Sequence, residues 1–501
     1  MSPTVQNKIT SASLPQRVLD VLGKLQGANF EAYIVGGSVR DLMLGKQPKD
    51  WDVTTNAAPG DIIGLFEKTV YENTYGTVAV IFEDETDMSL RQIEVTPYRI
   101  ESEYSDKRHP DTVLFSDKIE DDLKRRDFTI NALAYSLKDK GGVVDLFDGI
   151  KDIYEGRIQT VGDAGERFNE DALRMLRAVR FAVTLKTSEH KPFVISNEVA
   201  NALLVHAPSI SQISTERIRD EFIKIIASDE PAVGIMMLEK FGLLGHIIPE
   251  LKEGIDCIQG GAHRYDVYEH LLMALKHAAD KNWPLEIRLA ALFHDIGKPR
   301  SRRPGVKKAY TFYGHEVIGA RMAAKIMERL KFPKKTTELV VTLVRQHMFF
   351  SDTETITLSA VRRVVAKVGK ENIWTLMNVR ECDRVGMAKK EAPFRLRKYH
   401  AMIEEVLRDP ISVGALAIDG VVLKNELGIT PGPRMGWILH ALLEEVLDDP
   451  TKNTKEHLSE LVKSLNMLGD SELKALGERG KEKKDELEEK EVGELHKKHG
   501  V

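Results

Sequence analysis

The sequence predicts an α+β protein, a mixed α/β head followed by a mostly helical remainder. Strand and helix signals alternate up to about residue 145, and from Tyr154 onward long helical periods dominate. With 501 residues, 42% of them hydrophobic, the chain is long enough for about three or four separate cores.

Residues 14–26 place apolar side chains at helical spacing and stop near Gly27. Ala32–Val35 reads as a buried strand ended by Gly36 and Gly37. Residues 38–44 are helical and stop at Gly45; residues 50–54 form a second strand, and 78–82 and 92–96 add two more. An apolar helix is expected over 128–135. Further helices are expected over 171–183, 215–226, 268–278, 286–293 and 338–346. Asp419-Gly420 and Pro431-Gly432-Pro433 mark late turns. From about Gly469, Lys and Glu alternate with few apolar anchors, as in a solvated helix or a disordered tail.

Lys plus Arg is 72 and Asp plus Glu is 77, a net charge of −5, which excludes a uniformly basic, histone-like binder but leaves room for local basic patches. Two cysteines, Cys257 and Cys382, exclude a disulfide scaffold and a Cys-rich zinc module. No apolar run is long enough for a bilayer, and residues 1–10 lack the apolar core of a signal peptide. The expectation is a cytoplasmic protein with no membrane partner.

Gly36 and Gly37 follow a strand and open a helix, so a polyphosphate can approach the backbone and meet unpaired N–H groups. Arg40 adds a fork-shaped donor. Downstream lies Asp50-Trp51-Asp52, whose two carboxylates share one face if the segment is a strand. Like charges that close need a counter-ion, and Mg²⁺ favours such oxygens together with substrate phosphates. Glu94 is the candidate third carboxylate. Arg125 and Arg126, just before an apolar segment, suit a triphosphate, and residues 99–117 read as a mobile loop.

At these residues the chain resembles the nucleotidyltransferase superfamily, and within it the bacterial class II tRNA nucleotidyltransferase and poly(A) polymerase family. The matching stretches are Val35-Gly36-Gly37-Ser38-Val39-Arg40-Asp41, Lys49-Asp50-Trp51-Asp52-Val53, Arg125-Arg126-Asp127-Phe128-Thr129-Ile130-Asn131-Ala132, and the run from Glu170 to Ala182; Ser214-Thr215-Glu216-Arg217-Ile218 is a weaker element. The resemblance implies a nucleotidyltransferase-type head that adds C, C and A to tRNA 3′ ends from CTP and ATP without a nucleic-acid template. Asp50 and Asp52 would hold Mg²⁺, and Gly36, Gly37, Arg40 and Arg126 would hold phosphates. Asp171 and Arg174 would read the base, one accepting and one donating. Arg177 and Arg180 would hold phosphate or neighbouring side chains.

His294-Asp295-Ile296-Gly297-Lys298 ends an apolar helix, with His270 upstream and His315, His347 and Asp383 downstream. Mixed nitrogen and oxygen ligands on several helices suit a divalent transition metal or Mg²⁺. This set is similar to the HD superfamily of phosphohydrolases: His270, His294, Asp295 and Asp383 match its basic quartet, and His315 and His347 fit its two-metal form.

The implied organisation is a helical lead-in (1–31), the catalytic head (32–150), a base-reading and RNA-binding neck (151–255), an HD-type domain (256–400), a helical RNA-binding region (401–468) and a charged tail (469–501). Residues 302–308 and 331–335 offer basic patches for RNA phosphates, and no DNA partner is expected. Poly(A) polymerase, a CC-adding or A-adding enzyme, and an HD phosphohydrolase with an RNA-docking head share these residues and stay open at this point.

Overall fold

The computed structural model describes residues 9, 14–71, 76–101, 113–137, 142–260, 264–305, 309–348, 357–385, 393–407 and 413–499. The chain divides into two compact units. The first comprises Met1–Arg345 with Asn378–Ala388, and the second Gln346–Met377 with Lys389–Val501.

In the first unit, strands β1 (Ala32–Val35), β2 (Trp51–Thr55), β3 (Thr69–Tyr71), β4 (Val78–Ile81), β5 (Gln92–Pro97), β8 (Leu133–Ser136) and β9 (Gly142–Asp145) build one sheet; β6 (Arg99–Glu101) and β7 (Val113–Phe115) form a separate antiparallel pair. The order is β3-β4-β5-β2-β1-β8-β9, antiparallel throughout except for β2 beside β5. Alternation along β2 and β5 explains their place. Trp51, Val53, Ile93 and Val95 are buried in the core, and the intervening Asp52 and Glu94 are only partly covered. Helix Gln16–Gly27 buries Val18, Val21, Leu22 and Leu25, the apolar stripe its spacing predicts.

The remainder of this unit is largely helical, as expected. Helices Ala164–Glu170, Leu173–Thr184, Asn197–His206, Thr215–Ile226 and Pro231–Lys240 precede Val267–Asp280, Leu285–Phe293 and His315–Arg329. The second unit has its own core, in which Ile438, Leu442, Leu458, Val462 and Leu473 meet. Its last helix, Asp470–His499, packs along Pro433–Asp448. A side chain at Gly477 would sit 2.7 Å from Trp437 Cα, and one at Gly480 would strike the His440 carbonyl oxygen. The charged tail therefore begins as a packed helix.

Three expectations change. The ends of the expected loop 99–117 pair as β6 and β7. The apolar run 128–135 is not a helix: a 3₁₀ turn, Thr129–Asn131, leads into β8, which lies between β1 and β9 with all four residues buried. Burial on both faces removes the alternation that separates strand from helix. The helix expected over 171–183 is Leu173–Thr184, so Asp171 stands before it in an extended conformation. Residues 102–112, within the expected loop, and Lys307 and Lys308 lie outside the described residues. Among the described residues, no helix is long and apolar enough to cross a membrane.

Candidate active site

The chain leaves β1 through Gly36, at φ 75°, into the helix Gly37–Met43. A Cβ on Gly36 would lie 2.7 Å from Arg126 Nη1, so both the backbone angle and this close approach require glycine. Arg40 lies under the same turn: a Cβ on Gly37 would be 3.6 Å from its Nη2. The Ser38 hydroxyl donates to the Asp50 carbonyl oxygen at 3.2 Å and accepts from the Asp52 N–H at 3.4 Å. One side chain thus ties the glycine turn to the carboxylate segment.

Asp50 is exposed one residue before β2, and Asp52 is half-buried on it. Glu94 is the register partner of Asp52 in the parallel neighbour β5, so these two carboxylates stand side by side. Burial pushes the Asp52 carboxyl up; Arg126 opposes the shift, and Asp50 and Asp122 add to it. Clustered acidic oxygens that hold a proton too tightly form a donor set suited to a hard divalent cation.

Arg126 is held from behind by Asp122, which accepts from its Nη2 at 3.1 Å and also from Arg125. Burial alone would raise the Asp122 carboxyl, but the two guanidiniums bring it below its ordinary value. Asp127 is the hub of the next layer. It accepts from Phe128 N at 2.8 Å, Asn131 Nδ2 at 3.0 Å and Arg177 Nε at 2.7 Å, and forms an ion-pair contact with Arg177 Nη2 at 2.6 Å. Burial works against its charge, yet Arg177 and Asn131 hold the carboxyl well below the usual range. Asn131 Oδ1 in turn accepts from Arg40 Nη1 at 2.6 Å. The ring of Phe181 lies under three guanidiniums: Arg180 at 4.1 Å, Arg40 at 5.2 Å and Arg177 at 5.4 Å from its centroid. Arg180 also pairs with the buried Glu221 at 2.6 Å.

Asp171 and Arg174 come together at the start of Leu173–Thr184. Asp171 stands two residues before it, accepting from Leu173 N at 3.0 Å, and Arg174 donates its backbone N–H to the Asp171 carbonyl. The Arg174 guanidinium pairs with Glu170 and donates to the Arg125 carbonyl at 3.2 Å, which links it to the arginine pair.

A second cluster lies among the later helices. His270, His294, Asp295 and Asp383 bring four ligand atoms within 4.8 Å of one another. His270 Nε2 is 3.1 Å from His294 Nε2, and Asp295 Oδ2 is 3.5 and 3.3 Å from these two nitrogens. His294 Nδ1 is 2.8 Å from the Ala291 carbonyl oxygen; a proton held there points Nε2 into the cluster, where a cation can take the place of the second proton. Burial works against a charged His294, but Asp295 and Asp383 beside it raise its pKa to about 10. A site that concentrates negative charge in this way suits a cation. The other oxygen of Asp295, Oδ1, lies 3.2 Å from His315 Nε2, and Asp295 Oδ2 also meets Lys298 at 2.5 Å. Gly297 makes the arrangement possible, because any side chain there would strike the His315 carbonyl oxygen. His347 follows helix Lys334–Gln346 and is buried, in the second unit.

Three family models match the chain: the poly A polymerase head domain over residues 32–159, the probable RNA- and SrmB-binding site of polymerase A over 192–255, and the HD domain over 267–388. A CCA-adding enzyme of Levilactobacillus brevis is 32% identical over 439 residues, covering 87% of this chain and 95% of the relative. The chain belongs to the CCA-adding enzyme family. A CCA-adding enzyme of Leuconostoc mesenteroides is 46% identical over 227 residues, 44% of this chain and 53% of that protein, so this alignment spans about half the relative's length. The solved CCA-adding enzyme of Bacillus stearothermophilus in complex with CTP matches with a TM-score of 0.59 at 26% identity, covering 90% of this chain and 97% of that one.

In this CCA-adding family member, the sequence reading passed over Ser38, Asp122, Asp127, Asn131, Glu170, Phe181 and Arg217 as site residues. All of these except Asp122 lie inside the family-like stretches, where the pattern alone gives them no role. Asp122 and Glu170 carry a local signal: Asp122 lies three and four positions before two arginines, and Glu170 lies three after Arg167 and four before Arg174.

Proposed function

We infer that this protein is a template-independent tRNA nucleotidyltransferase that adds CCA, transferring CMP and AMP from CTP and ATP to the tRNA 3′ end. Membership of the CCA-adding enzyme family over 87% of the chain carries the reading. The RNA 3′-hydroxyl attacks the α-phosphate, the new phosphodiester bond forms, and pyrophosphate leaves. Asp50 and Asp52, with Glu94 alongside, would hold Mg²⁺. Bound there, the ion supplies stabilisation of charge on the reacting oxygens. Gly36 and Gly37 let the triphosphate approach the backbone, and Arg40 and Arg126 neutralise it. Arg177 and Arg180, held by Asp127 and Glu221, fix the wall behind Arg40. Asp171 and Arg174 meet the base edge. The setting is cytoplasmic.

A test supplies tRNAs ending before CCA, after C and after CC, with each nucleotide and Mg²⁺. Completion of CCA followed by a stop is expected; long A tails identify a poly(A) polymerase instead. Asp50→Ala should abolish addition while tRNA binding survives, and full activity in that variant overturns the metal assignment.

The His270–His294–Asp295–Asp383 cluster favours a second activity, metal-dependent phosphohydrolysis with a divalent transition metal or Mg²⁺. The position of Asp295 between the two histidines of the quartet and His315 supports a further ion there. Asp295→Ala should lose bound metal and any cyclic-phosphate hydrolysis while nucleotide addition continues. Loss of both activities would mean the two sites are not independent.

A further inference from the structure

We propose that Arg217 is a specificity-determining positioning residue, whose guanidinium fork fixes Asp171 so that a single acceptor faces the incoming base. This rests on the reading that Asp171 and Arg174 meet the base edge, and it adds a residue from another helix, Thr215–Ile226.

Hydrogen-bond capacity carries the argument. An ionised carboxylate has about four acceptor positions. Asp171 Oδ1 accepts from Leu173 N at 3.0 Å and from Arg217 Nη1 at 3.2 Å, and Oδ2 accepts from Arg217 Nη2 at 2.7 Å. These bonds fill Oδ1 and half of Oδ2, so the remaining capacity is on Oδ2 alone. The Asp171 side chain is 16% exposed and Arg217 26%, which leaves an edge for a ligand and little room for water.

Arg174 is occupied in the complementary sense. Its Nη1 donates to the Arg167 carbonyl at 3.2 Å and to Glu170, and its Nη2 donates to the Arg125 carbonyl at 3.2 Å. Of about five N–H groups on a guanidinium, Nε–H and one on Nη2 have no partner among the described residues. The pair therefore offers one acceptor and a fixed donor edge. Cytosine and adenine present an amino group beside a ring-nitrogen acceptor and match it. Uracil and guanine present a carbonyl beside an N–H and oppose it.

Without the fork, the Asp171 carboxylate is held by the Leu173 N–H alone and can turn about its own bond. A turning carboxylate admits a bridging water, which donates or accepts as the base requires. The donor–acceptor code is then lost although both base readers are still present. A purely structural tie between Thr215–Ile226 and the segment before Leu173–Thr184 would weaken all nucleotides alike.

The test measures kcat and KM for one addition with CTP and with UTP on tRNA lacking CCA, using the full chain as wild type, Arg217→Met, Arg217→Lys and Asp171→Ala. We expect the CTP-to-UTP ratio of kcat/KM to fall at least about tenfold in Arg217→Met, equal to about 1.4 kcal/mol. Most of the change should be in KM for CTP. Arg217→Lys, which restores one donor, should lie between wild type and Arg217→Met, and it decides the matter alone if Arg217→Met does not fold. An unchanged ratio in the Arg217 variants, with a collapsed ratio in Asp171→Ala, overturns the role of Arg217 and leaves the base-reading assignment standing. An unchanged ratio in Asp171→Ala overturns the base-reading assignment itself.

Discussion

Asp127→Asn is nearly isosteric and tests whether the hub under the active site holds it together. In wild type, one of the three hydrogen bonds to this carboxylate comes from Arg177, whose Nη2 adds an ion-pair contact at 2.6 Å. The amide can still accept from Phe128 N and Asn131, but it then turns an NH₂ group toward the N–H groups of Arg177. Hydrogen bonds to charged groups are worth about 1.5–3 kcal/mol each. Arg177 is 33% exposed, so water recovers part of that, and a loss of about 2–4 kcal/mol is expected. The assay is urea unfolding of both proteins across pH. The folded-state pKa of Asp127 lies below its unfolded value of about 3.9. Its contribution is therefore complete above that value and lost as pH falls through the folded pKa. The gap between wild type and Asp127→Asn should stay constant from about pH 7 to about pH 5 and narrow below about pH 4. A gap under about 0.5 kcal/mol at pH 7, or one that widens in acid, would refute the reasoning.

Asp52→Asn should act in opposite directions on stability and activity. The Asp52 carboxyl is raised in the folded state, so its ionisation costs stability above that pKa, and the variant, without added divalent metal, should melt higher by about 2–4 °C per kcal/mol relieved. Nucleotide addition should fall at least about a thousandfold, measured on the same preparations. Ending the chain at Gly469 removes Leu473 from a fully buried position in the second unit and should destabilise that unit by about 2–5 kcal/mol; unchanged unfolding would show that the terminal helix contributes nothing to its core.

The sequence is most informative where one short segment makes a constellation. Gly36 and Gly37 directly follow β1, and Asp50 and Asp52 flank the start of β2, the next strand, so short-range pattern places them. The His-Asp pair at the end of Leu285–Phe293 is legible for the same reason. Partners from distant segments are not. Arg40 meets Asn131 and Asp171 meets Arg217 across 91 and 46 residues, and no local pattern records which arginine finds which acceptor. The run 128–135 fails differently, because a strand buried on both faces and a buried helix show the same continuous apolar signal. Asp171 reads as part of a helix because spacing by threes continues through it; its bond to Leu173 N appears only once the backbone turns extended before that residue. Glu94, by contrast, was a bare candidate in the sequence and gains its argument from strand register.

The Ser38 hydroxyl, between the Asp50 carbonyl and the Asp52 amide, makes the proposed cradle for the triphosphate and the proposed seat for the ion travel as one body. Any motion that lets the enzyme follow its lengthening product must then happen elsewhere in the molecule, since a shift between these two parts would spoil the alignment of attacking and departing groups. A serine with one freely rotating proton is enough to lock them: it gives that proton to one side and its oxygen to the other.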